Sequence, residues 1–397
     1  MLEKTWRWFG ENDKITLGQI RQIGIEGIVT ALHHIPNGEV WSVEEIKKTQ
    51  AEIEKYGMRW SVVESLPVHE IIKYGGVERD QLIENYKKSL VNLGECGLKT
   101  ICYNFMPVID WIRTDLNYRL PDTTEVLYFN FVDFVVFDRF ILEREQAAEE
   151  YPKEIVEKAA LRFGEMSEQD KNSLVDTIVV KTQGFIDGIS ADEPAEAARI
   201  FKQLLQNYKE IDDAKLRANL KYFLDAILPT AEEQGIKMSI HPDDPPMKVL
   251  GLPRIVGTME DLDWIFEHIP SPSNALTFCT GSLGARADND LKGMMQKFKA
   301  RIHFAHLRST QLVGNGDFYE AEHLGGGVDM YEMIRSLLLE QKNRASGERI
   351  PMRVDHGRRL LADFNNAYNP GYPLFGRMKA MAEISGLEMG VLKNINS

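Results

Sequence analysis

The chain has 397 residues, of which 43% are hydrophobic and 27% are charged, a composition that excludes a mainly disordered protein and allows a large core. Its 60 acidic and 47 basic residues give a formal net charge of -13, which disfavours nucleic acid and anionic lipid as partners and favours a small molecule. Three cysteines are too few for a disulfide framework in so long a chain.

The sequence also carries information on location and domain number. It begins without the basic and then apolar plan of a secretory signal, and no stretch approaches 18 uninterrupted apolar residues. We therefore expect a cytoplasmic protein with no membrane as a partner. Neither internal repeats nor Pro/Ser-rich linkers divide the chain, so we expect a single domain over residues 1–397.

Eight short β-branched or apolar runs alternate with helical patterns and are candidate strands. In chain order they are residues 27–33, 59–64, 100–105, 131–137, 236–241, 275–279, 301–306 and 350–355. Strands that alternate with helices are joined by right-handed crossovers and lie parallel, and eight such units close a barrel. We therefore predict an α/β fold, the (β/α)8 TIM barrel. A doubly wound open sheet is the alternative, but no Gly-x-Gly-x-x-Gly follows the first candidate strand.

The connection after the fourth candidate strand is unusually long. Residues 138–211 are highly charged, helical in pattern and too long for one crossover. We predict that they form a helical insertion after about the fourth strand, within the single barrel domain and in a position to cover the site.

Four consecutive candidate strands, the fifth to the eighth, end in side chains that can bind a metal. These are His241, Cys279, His306 and Asp355. A single His or Cys at such a position is more often an ordinary polar or buried residue, but the carboxyl ends of barrel strands meet at the mouth. The joint placement therefore predicts one divalent metal site. His303 competes with His306, but positions three apart on a strand face opposite sides, and His306 lies nearer the carboxyl end.

The donor set narrows the choice of metal. Two imidazoles, one thiolate and one carboxylate suit a first-row ion such as Fe(II), Mn(II), Co(II) or Zn(II), whereas Mg(II) and Ca(II) prefer shells of oxygen. Further polar residues cluster near the predicted mouth: His33, His34, Glu64, Asn104, Arg308, Arg358, Arg359 and Tyr372. Guanidinium groups beside a metal indicate an anionic substrate, since they bind carboxylate or phosphate bidentately. For Arg359, a solvated surface charge is as good an interpretation as a functional role. For Tyr372, packing of a loop aromatic on the barrel rim is equally good.

Two further segments have ordinary interpretations. The cluster Trp6-Arg7-Trp8-Phe9 is typical of core or interface packing more than of ligand contact. The loop His241-Pro-Asp-Asp-Pro-Pro246 is held extended by its prolines. Its acids, Asp243 and Asp244, either orient a metal-bound imidazole or are solvated.

Seven segments of the sequence resemble the signature segments of mannonate dehydratases. They are Trp6-Arg-Trp-Phe-Gly10, Gly27-Ile-Val-Thr-Ala-Leu-His-His-Ile-Pro36, Ser239-Ile-His-Pro-Asp-Asp-Pro245, Leu276-Thr-Phe-Cys-Thr-Gly-Ser282, Ile302-His-Phe-Ala-His-Leu-Arg308, Val354-Asp-His-Gly-Arg358 and Asn369-Pro-Gly-Tyr372. The resemblance implies a xylose-isomerase-like barrel and an Fe(II) or Mn(II) cofactor. It also implies a hydro-lyase that converts D-mannonate to 2-dehydro-3-deoxy-D-gluconate in hexuronate (glucuronate) catabolism.

The resemblance also implies roles for individual residues. Dehydration of a sugar acid needs a base for the proton beside the carboxylate and an acid for the departing C3 hydroxyl. His356 and Tyr372 are the candidates for these two roles, and the sequence leaves open which is which. Arg308, Arg358, Asn104 and His34 are the expected substrate-binding residues. We expect a homo-oligomer that acts on a small sugar acid.

Other functions remain open at this point. A metal-dependent sugar isomerase on the same fold usually has only oxygen and nitrogen ligands, so Cys279 argues against it. An abasic-site endonuclease of similar architecture would need three metals and a basic surface, which the net charge of -13 disfavours. A non-catalytic sugar-acid binding protein is the third alternative, and an assay for product distinguishes it from an enzyme.

Overall fold

The computed structural model describes residues 1–182 and 194–396. Its strands are β1 (Glu3–Arg7), β2 (Gly27–Thr30), β3 (Arg59–Glu64), β4 (Thr100–Tyr103), β5 (Asp115–Arg119), β6 (Glu125–Phe129), β7 (Lys237–Ile240), β8 (Asn274–Cys279), β9 (Ile302–His306), β10 (Thr310–Gly314), β11 (Asp317–Glu320) and β12 (Pro351–Arg353). Eight of them close a parallel barrel in the order β1, β12, β9, β8, β7, β4, β3, β2. The predicted (β/α)8 barrel is confirmed.

Helices connect these strands. They are α1 (Leu17–Gln22), α2 (Val43–Glu54), α3 (Glu70–Tyr74), α4 (Arg79–Glu95), α5 (Phe131–Val135), α6 (Ala147–Glu150), α7 (Lys153–Glu165), α8 (Glu168–Val175), α9 (Pro194–Gln206), α10 (Asp213–Glu233), α11 (Met259–His268), α12 (Thr280–Gly284), α13 (Leu291–Phe298), α14 (Met330–Lys342) and α15 (Leu374–Asn396). Val136–Ile141 and Asp176–Lys181 are π-helical, and Lys299–Arg301 and Leu361–Asn365 are 3-10 turns. Among the described helices, none combines the length and the apolar character needed to cross a bilayer.

Two strand assignments from the sequence were wrong, although the count of eight was right. The run 131–137 is not a strand but α5 and the start of a π-helical segment. The Asn130 side chain accepts a hydrogen bond from the Asp133 backbone N–H at 2.8 Å and caps this helix, whereas a short apolar run alone does not separate helix from strand. The first barrel strand is β1, which contains the Trp6-Arg7 pair interpreted as packing.

A small antiparallel sheet stands beside the barrel. The hairpin of β5 and β6, between β4 and α5, pairs with the hairpin of β10 and β11 in the order β10, β11, β6, β5. The helices that follow β6 pack into an apolar core of their own, which includes Phe134, Phe137 and Phe201. The insertion predicted over residues 138–211 falls in this part of the chain, and its residues 183–193 lie outside the described residues. That the chain is one domain with an insertion of these limits stays a prediction.

The inside of the barrel is filled by side chains from several strands. Val29, Val62, Cys102 and Phe304 are fully buried and form one cluster across β2, β3, β4 and β9. Alternation along β9 then places His306 on the same face as Phe304, one layer nearer the carboxyl end. Side chains therefore fill the barrel below the level of His306.

Candidate active site

The predicted metal ligands from β7, β8 and β9 converge at the barrel mouth. His241, Cys279 and His306 each offer one donor atom within 4.8 Å of the others. Nε2 of His241 lies 3.2 Å from Nδ1 of His306. Cys279 and His306 are paired in the parallel register of β8 and β9, which is why their side chains share one level of the barrel. The described residues thus contain a His/Cys group able to hold a metal ion.

Asp355 completes this group from the loop after β12. Its Oδ2 lies 3.8 Å from Nδ1 of His306 and 4.0 Å from Sγ of Cys279. Asp355 has φ of 50°, in the left-handed region that costs a non-glycine residue energy. This turn directs the carboxylate back over the mouth. The four predicted ligands therefore lie together, whereas His303 lies on the other face of β9, 3.9 Å from Glu348.

The electrostatic environment favours the thiolate form of Cys279 and pairs it with His241. Burial raises the pKa of Cys279, but Arg308 and the hydrogen bond with His241 outweigh it and lower the pKa below its ordinary value. Burial lowers the pKa of His241, but the Cys279 thiolate outweighs it and raises the pKa to about 9. Nδ1 of His241 lies 2.7 Å from the Pro242 carbonyl, which only accepts, so Nδ1 carries hydrogen and Nε2 is the nitrogen that faces His306.

A buried network of arginines and carboxylates lies beside the ligands. Arg308 donates to Asp244 at 2.5 Å and to Glu320 at 3.0 Å. Arg113 donates to the same two acids, at 2.8 Å and 2.6 Å. These charges hold the pKa of Glu320 at about 2 although burial raises it. Glu320 comes from β11, so the small sheet contributes directly to the site.

A second ion-pair chain runs along the other side of the ligands. Arg353 donates to Glu64 at 2.8 Å, to Nε2 of His306 at 3.1 Å and to Asp355. Burial raises the pKa of Asp355, but Arg353 and other cations outweigh it and hold the pKa well below its ordinary value. The Asp355 carboxylate is therefore ionised and oriented before any ligand binds.

His356 and Tyr372 lie against each other at the edge of this network. Their ring centroids are 5.2 Å apart, edge to face. Nδ1 of His356 lies 3.2 Å from Glu320 and also against a guanidinium nitrogen of Arg308, while Nε2 lies 4.0 Å from Asp355. The Tyr372 hydroxyl donates to Asp355 at 3.2 Å, and burial and then Asp355 raise its pKa to about 12. Both rings line one cavity with two of the predicted metal ligands, His241 and Asp355.

That cavity has a volume of about 330 Å³ and lies over the barrel mouth. It is lined by His241, Asp355, His356 and Tyr372 together with Asn104, Trp111 and Lys181. Asn104 is thus placed where a substrate-binding residue was predicted. Arg308 lies beneath the cavity, 1% exposed and held by Asp244 and Glu320.

Two predicted substrate-binding residues lie away from this cavity. His34 is exposed and forms a hydrogen bond with Glu45 at 2.9 Å, in a separate depression. Arg358 contacts Asp122, Thr124 and Glu322 on the outer side of the loop. The structure does not bring either residue to the predicted metal ligands.

The similarities to known proteins agree with this geometry. The sequence model of D-mannonate dehydratase (UxuA) matches residues 2–397. The chain belongs to the mannonate dehydratase family. A curated mannonate dehydratase from Marinomonas sp. (strain MWYL1) is 49% identical over 394 residues, 98% of this chain and 99% of the relative. One from Saccharophagus degradans (strain 2-40 / ATCC 43961 / DSM 17024) is 45% identical over 392 residues, 97% of each chain.

A solved structure of the same family has the same architecture. The crystal structure of mannonate dehydratase from Streptococcus suis serotype2 is 33% identical in sequence, with a TM-score of 0.77 over 100% of this chain and 95% of that one. Mannonate dehydratases are hydro-lyases that act on a small sugar acid. The family predicted from the sequence segments is therefore confirmed.

The sequence interpretation missed several residues of the site. Arg353 and Glu320 were not singled out, and Arg7 was placed in a packing cluster. Arg353 had a signal, because it lies two residues before Asp355 and strand residues two apart share a face. Glu320 had none, because it reaches the mouth through the β10 and β11 hairpin, whose position depends on pairing with the distant β6.

Proposed function

We propose that this protein dehydrates D-mannonate to 2-dehydro-3-deoxy-D-gluconate with Fe(II) or Mn(II), as a step of hexuronate catabolism. The observation that carries the proposal is that His241, Asp355, His356 and Tyr372 line one cavity, and that Cys279 and His306 lie buried against His241 and Asp355. Membership of the mannonate dehydratase family supports the same reaction.

The residues fit a divalent first-row metal. His241, Cys279, His306 and Asp355 would hold it, because their donors combine imidazole nitrogen, thiolate and carboxylate at one point of the mouth. A bound ion would supply Lewis-acid stabilisation of the negative charge that develops on the substrate oxygens. The thiolate also supports a reducing, cytoplasmic location, because oxidation of the sulfur would destroy the ligand.

His356 is the group we assign to remove the C2 proton. Its Nδ1 is engaged within the protein, because Glu320 lies 3.2 Å from it and a guanidinium nitrogen of Arg308 lies against it. In the described part of the chain, Nε2 has no hydrogen-bond partner, so it is the nitrogen left for substrate. The C–H electron pair then becomes the double bond between C2 and C3.

Tyr372 is the group we assign to protonate the departing C3 hydroxyl. Its O–H donates to the ionised Asp355, so the hydroxyl enters the reaction with its proton. When the C3–O bond breaks, this proton completes the water molecule that leaves. The enol that remains takes a proton at C3 and becomes the 2-keto acid.

The charges in and beneath the cavity wall suit a monoanionic substrate. Buried or nearly buried arginines, Arg7, Arg113, Arg308 and Arg353, face the carboxylates of Glu64, Asp244, Glu320 and Asp355 in equal number. A divalent ion and the Cys279 thiolate together add one net positive charge, which the single carboxylate of the substrate would neutralise. A neutral sugar, the substrate of an isomerase, would leave this charge without a partner. The homo-oligomer expected from the sequence is retained as part of the proposal, and light scattering tests it.

The direct experiment is an assay of purified protein reconstituted with Fe(II) or Mn(II). D-mannonate is added, and the 2-keto-3-deoxy acid is measured by its carbonyl chemistry and by NMR. Formation of that acid at a rate that depends on the metal supports the proposal. An isomerised sugar acid as product favours the isomerase, and tight binding without product favours a binding protein.

A further inference from the structure

Arg7 is the last residue of β1 and lines the cavity, yet its guanidinium is incompletely paired. The side chain is 5% exposed, and burial lowers its pKa. Within the described residues, its Nη1 atom has no hydrogen-bond partner. Its ion-pair partner Glu64 lies 3.9 Å away, too far for a hydrogen bond, and the facing Oε2 atom of Glu64 also lacks a partner there.

The other arginines of the site are different. Arg113 donates to Asp244 and Glu320, and Arg308 does the same. Arg353 is held by Glu64, His306 and Asp355. Each of these three residues thus donates to two carboxylates, although Nε of Arg113 and Nε of Arg308 lack a partner, whereas the Arg7 guanidinium donates no hydrogen bond within the described residues.

A buried cation without its hydrogen bonds is expensive, and a protein retains one where a ligand completes it. Arg7 also lies beside Phe9, with its guanidinium carbon 5.0 Å from the ring centroid, so an apolar wall limits access of water on that side. The fork of a guanidinium matches a carboxylate. We propose that Arg7 binds the carboxylate of the sugar acid substrate. This inference rests on the proposed function.

The position of Arg7 has a consequence for catalysis as well as for binding. Removal of the proton beside a carboxylate moves negative charge onto the carboxylate oxygens. A guanidinium on those oxygens therefore binds the transition state more tightly than the ground state. Loss of Arg7 should therefore lower kcat and raise KM. Loss of a merely structural residue would instead lower the amount of folded enzyme and leave kcat and KM of the folded fraction unchanged.

The test compares Arg7→Gln, Arg7→Lys and the parent enzyme loaded with Mn(II), against two ligands that differ only at C1. D-mannonate carries the carboxylate, and D-mannonamide carries a neutral amide. Dissociation constants for the amide come from calorimetry, and those for mannonate from kinetics or, for an inactive variant, from calorimetry. Arg286→Gln is the matched control, because Arg286 pairs with Asp288 on the outside of the barrel.

Arg7→Gln should weaken the binding of D-mannonate by about 10- to 100-fold, the range for a lost charge-assisted hydrogen bond. The affinity for the amide should change by less than about threefold. Arg7→Lys should retain part of the preference for the charged ligand. Equally weakened binding of both ligands, or unchanged binding of both, would overturn the assignment. If the Arg7→Gln protein fails to fold, the comparison of Arg7→Lys with the parent decides. A parent enzyme that neither binds nor converts mannonate refutes the proposed function itself.

Discussion

The hydroxyl of Tyr372 donates a hydrogen bond to Oδ1 of Asp355 at 3.2 Å. The residue assigned to deliver a proton is therefore oriented by one of the residues assigned to hold the metal. Asp355 reaches this position only through its left-handed turn, with φ of 50°. Proton transfer and metal binding are thus linked through one carboxylate, although different side chains perform them.

Tyr372→Phe separates the two roles. The variant removes the acid but keeps the ring against His356 and Phe9, so we expect metal content and substrate affinity close to those of the parent. Turnover should fall by about 100-fold or more, the usual effect of losing a general acid. Metal analysis and steady-state kinetics on the same preparation check this. Turnover at the parent rate would remove Tyr372 from the mechanism.

His356→Asn should lower turnover by a similar factor of about 100 and also stop exchange of the C2 proton. In D₂O, the Tyr372→Phe protein should still exchange this proton with solvent, because the base remains, provided that proton removal is reversible and precedes loss of the hydroxyl. NMR of recovered mannonate measures the exchange. Exchange by the His356 variant and none by the Tyr372 variant would reverse the two assignments.

Cys279→Ser should weaken metal retention, because a hydroxyl ionises far less readily than a thiol and is a harder ligand. Cys96→Ser is the matched control, since Cys96 lies at the end of α4, away from the cavity. Metal content after dialysis should fall for the first variant and stay at the parent level for the second. Equal metal content in both variants would exclude Cys279 as a ligand.

The lowered pKa of Glu320 predicts how the stability of the folded protein depends on pH. Its pKa is about 2 in the folded protein against an ordinary value of 4.5, because Arg308 and Arg113 outweigh burial. A carboxyl whose pKa is lowered on folding stabilises the folded state, here by on the order of 3 kcal/mol. This stabilisation is present above about pH 4.5 and is lost as the pH falls toward 2. Thermal unfolding between pH 7 and pH 3 should therefore show a steep acid limb.

Glu320→Gln is the variant that tests this origin. It leaves two buried arginines short of an acceptor, so the melting temperature at pH 7 should fall, and the acid limb should become shallower. Glu322→Gln provides the control, because Glu322 pairs with Arg358 and Lys379 on the exposed side of the same loop. An acid limb of unchanged steepness in the Glu320 variant would contradict the assignment.

The sequence predicted the barrel because its strands and helices alternate with the periods that parallel strands and amphipathic helices require. It did not place β1 or α5 correctly. The run 131–137 is apolar enough for either structure, and the Asn130 cap that decides for a helix is a local signal easily overlooked. In β1, Trp6 and Arg7 suggested packing, because an arginine that faces a cavity is indistinguishable in sequence from one that faces solvent.

The convergence of the four predicted metal ligands was predictable for a simple geometric reason. Each follows or ends a strand, and the carboxyl ends of barrel strands meet at one mouth. His34 and Arg358 show the limit of that reasoning. Both lie in loops after strands, but the loop geometry turns His34 toward Glu45 and Arg358 toward Asp122. Loop direction depends on tertiary contacts and not on position after a strand.

Anomalous diffraction from crystals of Mn(II)-loaded protein, recorded at the manganese edge, tests the central claim most directly. The account predicts one strong peak bounded by His241, Cys279, His306 and Asp355, with each donor atom within about 2.0 to 2.3 Å of it. Metal content by mass spectrometry should be close to one ion per chain. A peak elsewhere, or one that lies more than about 3 Å from these donors, would contradict the account.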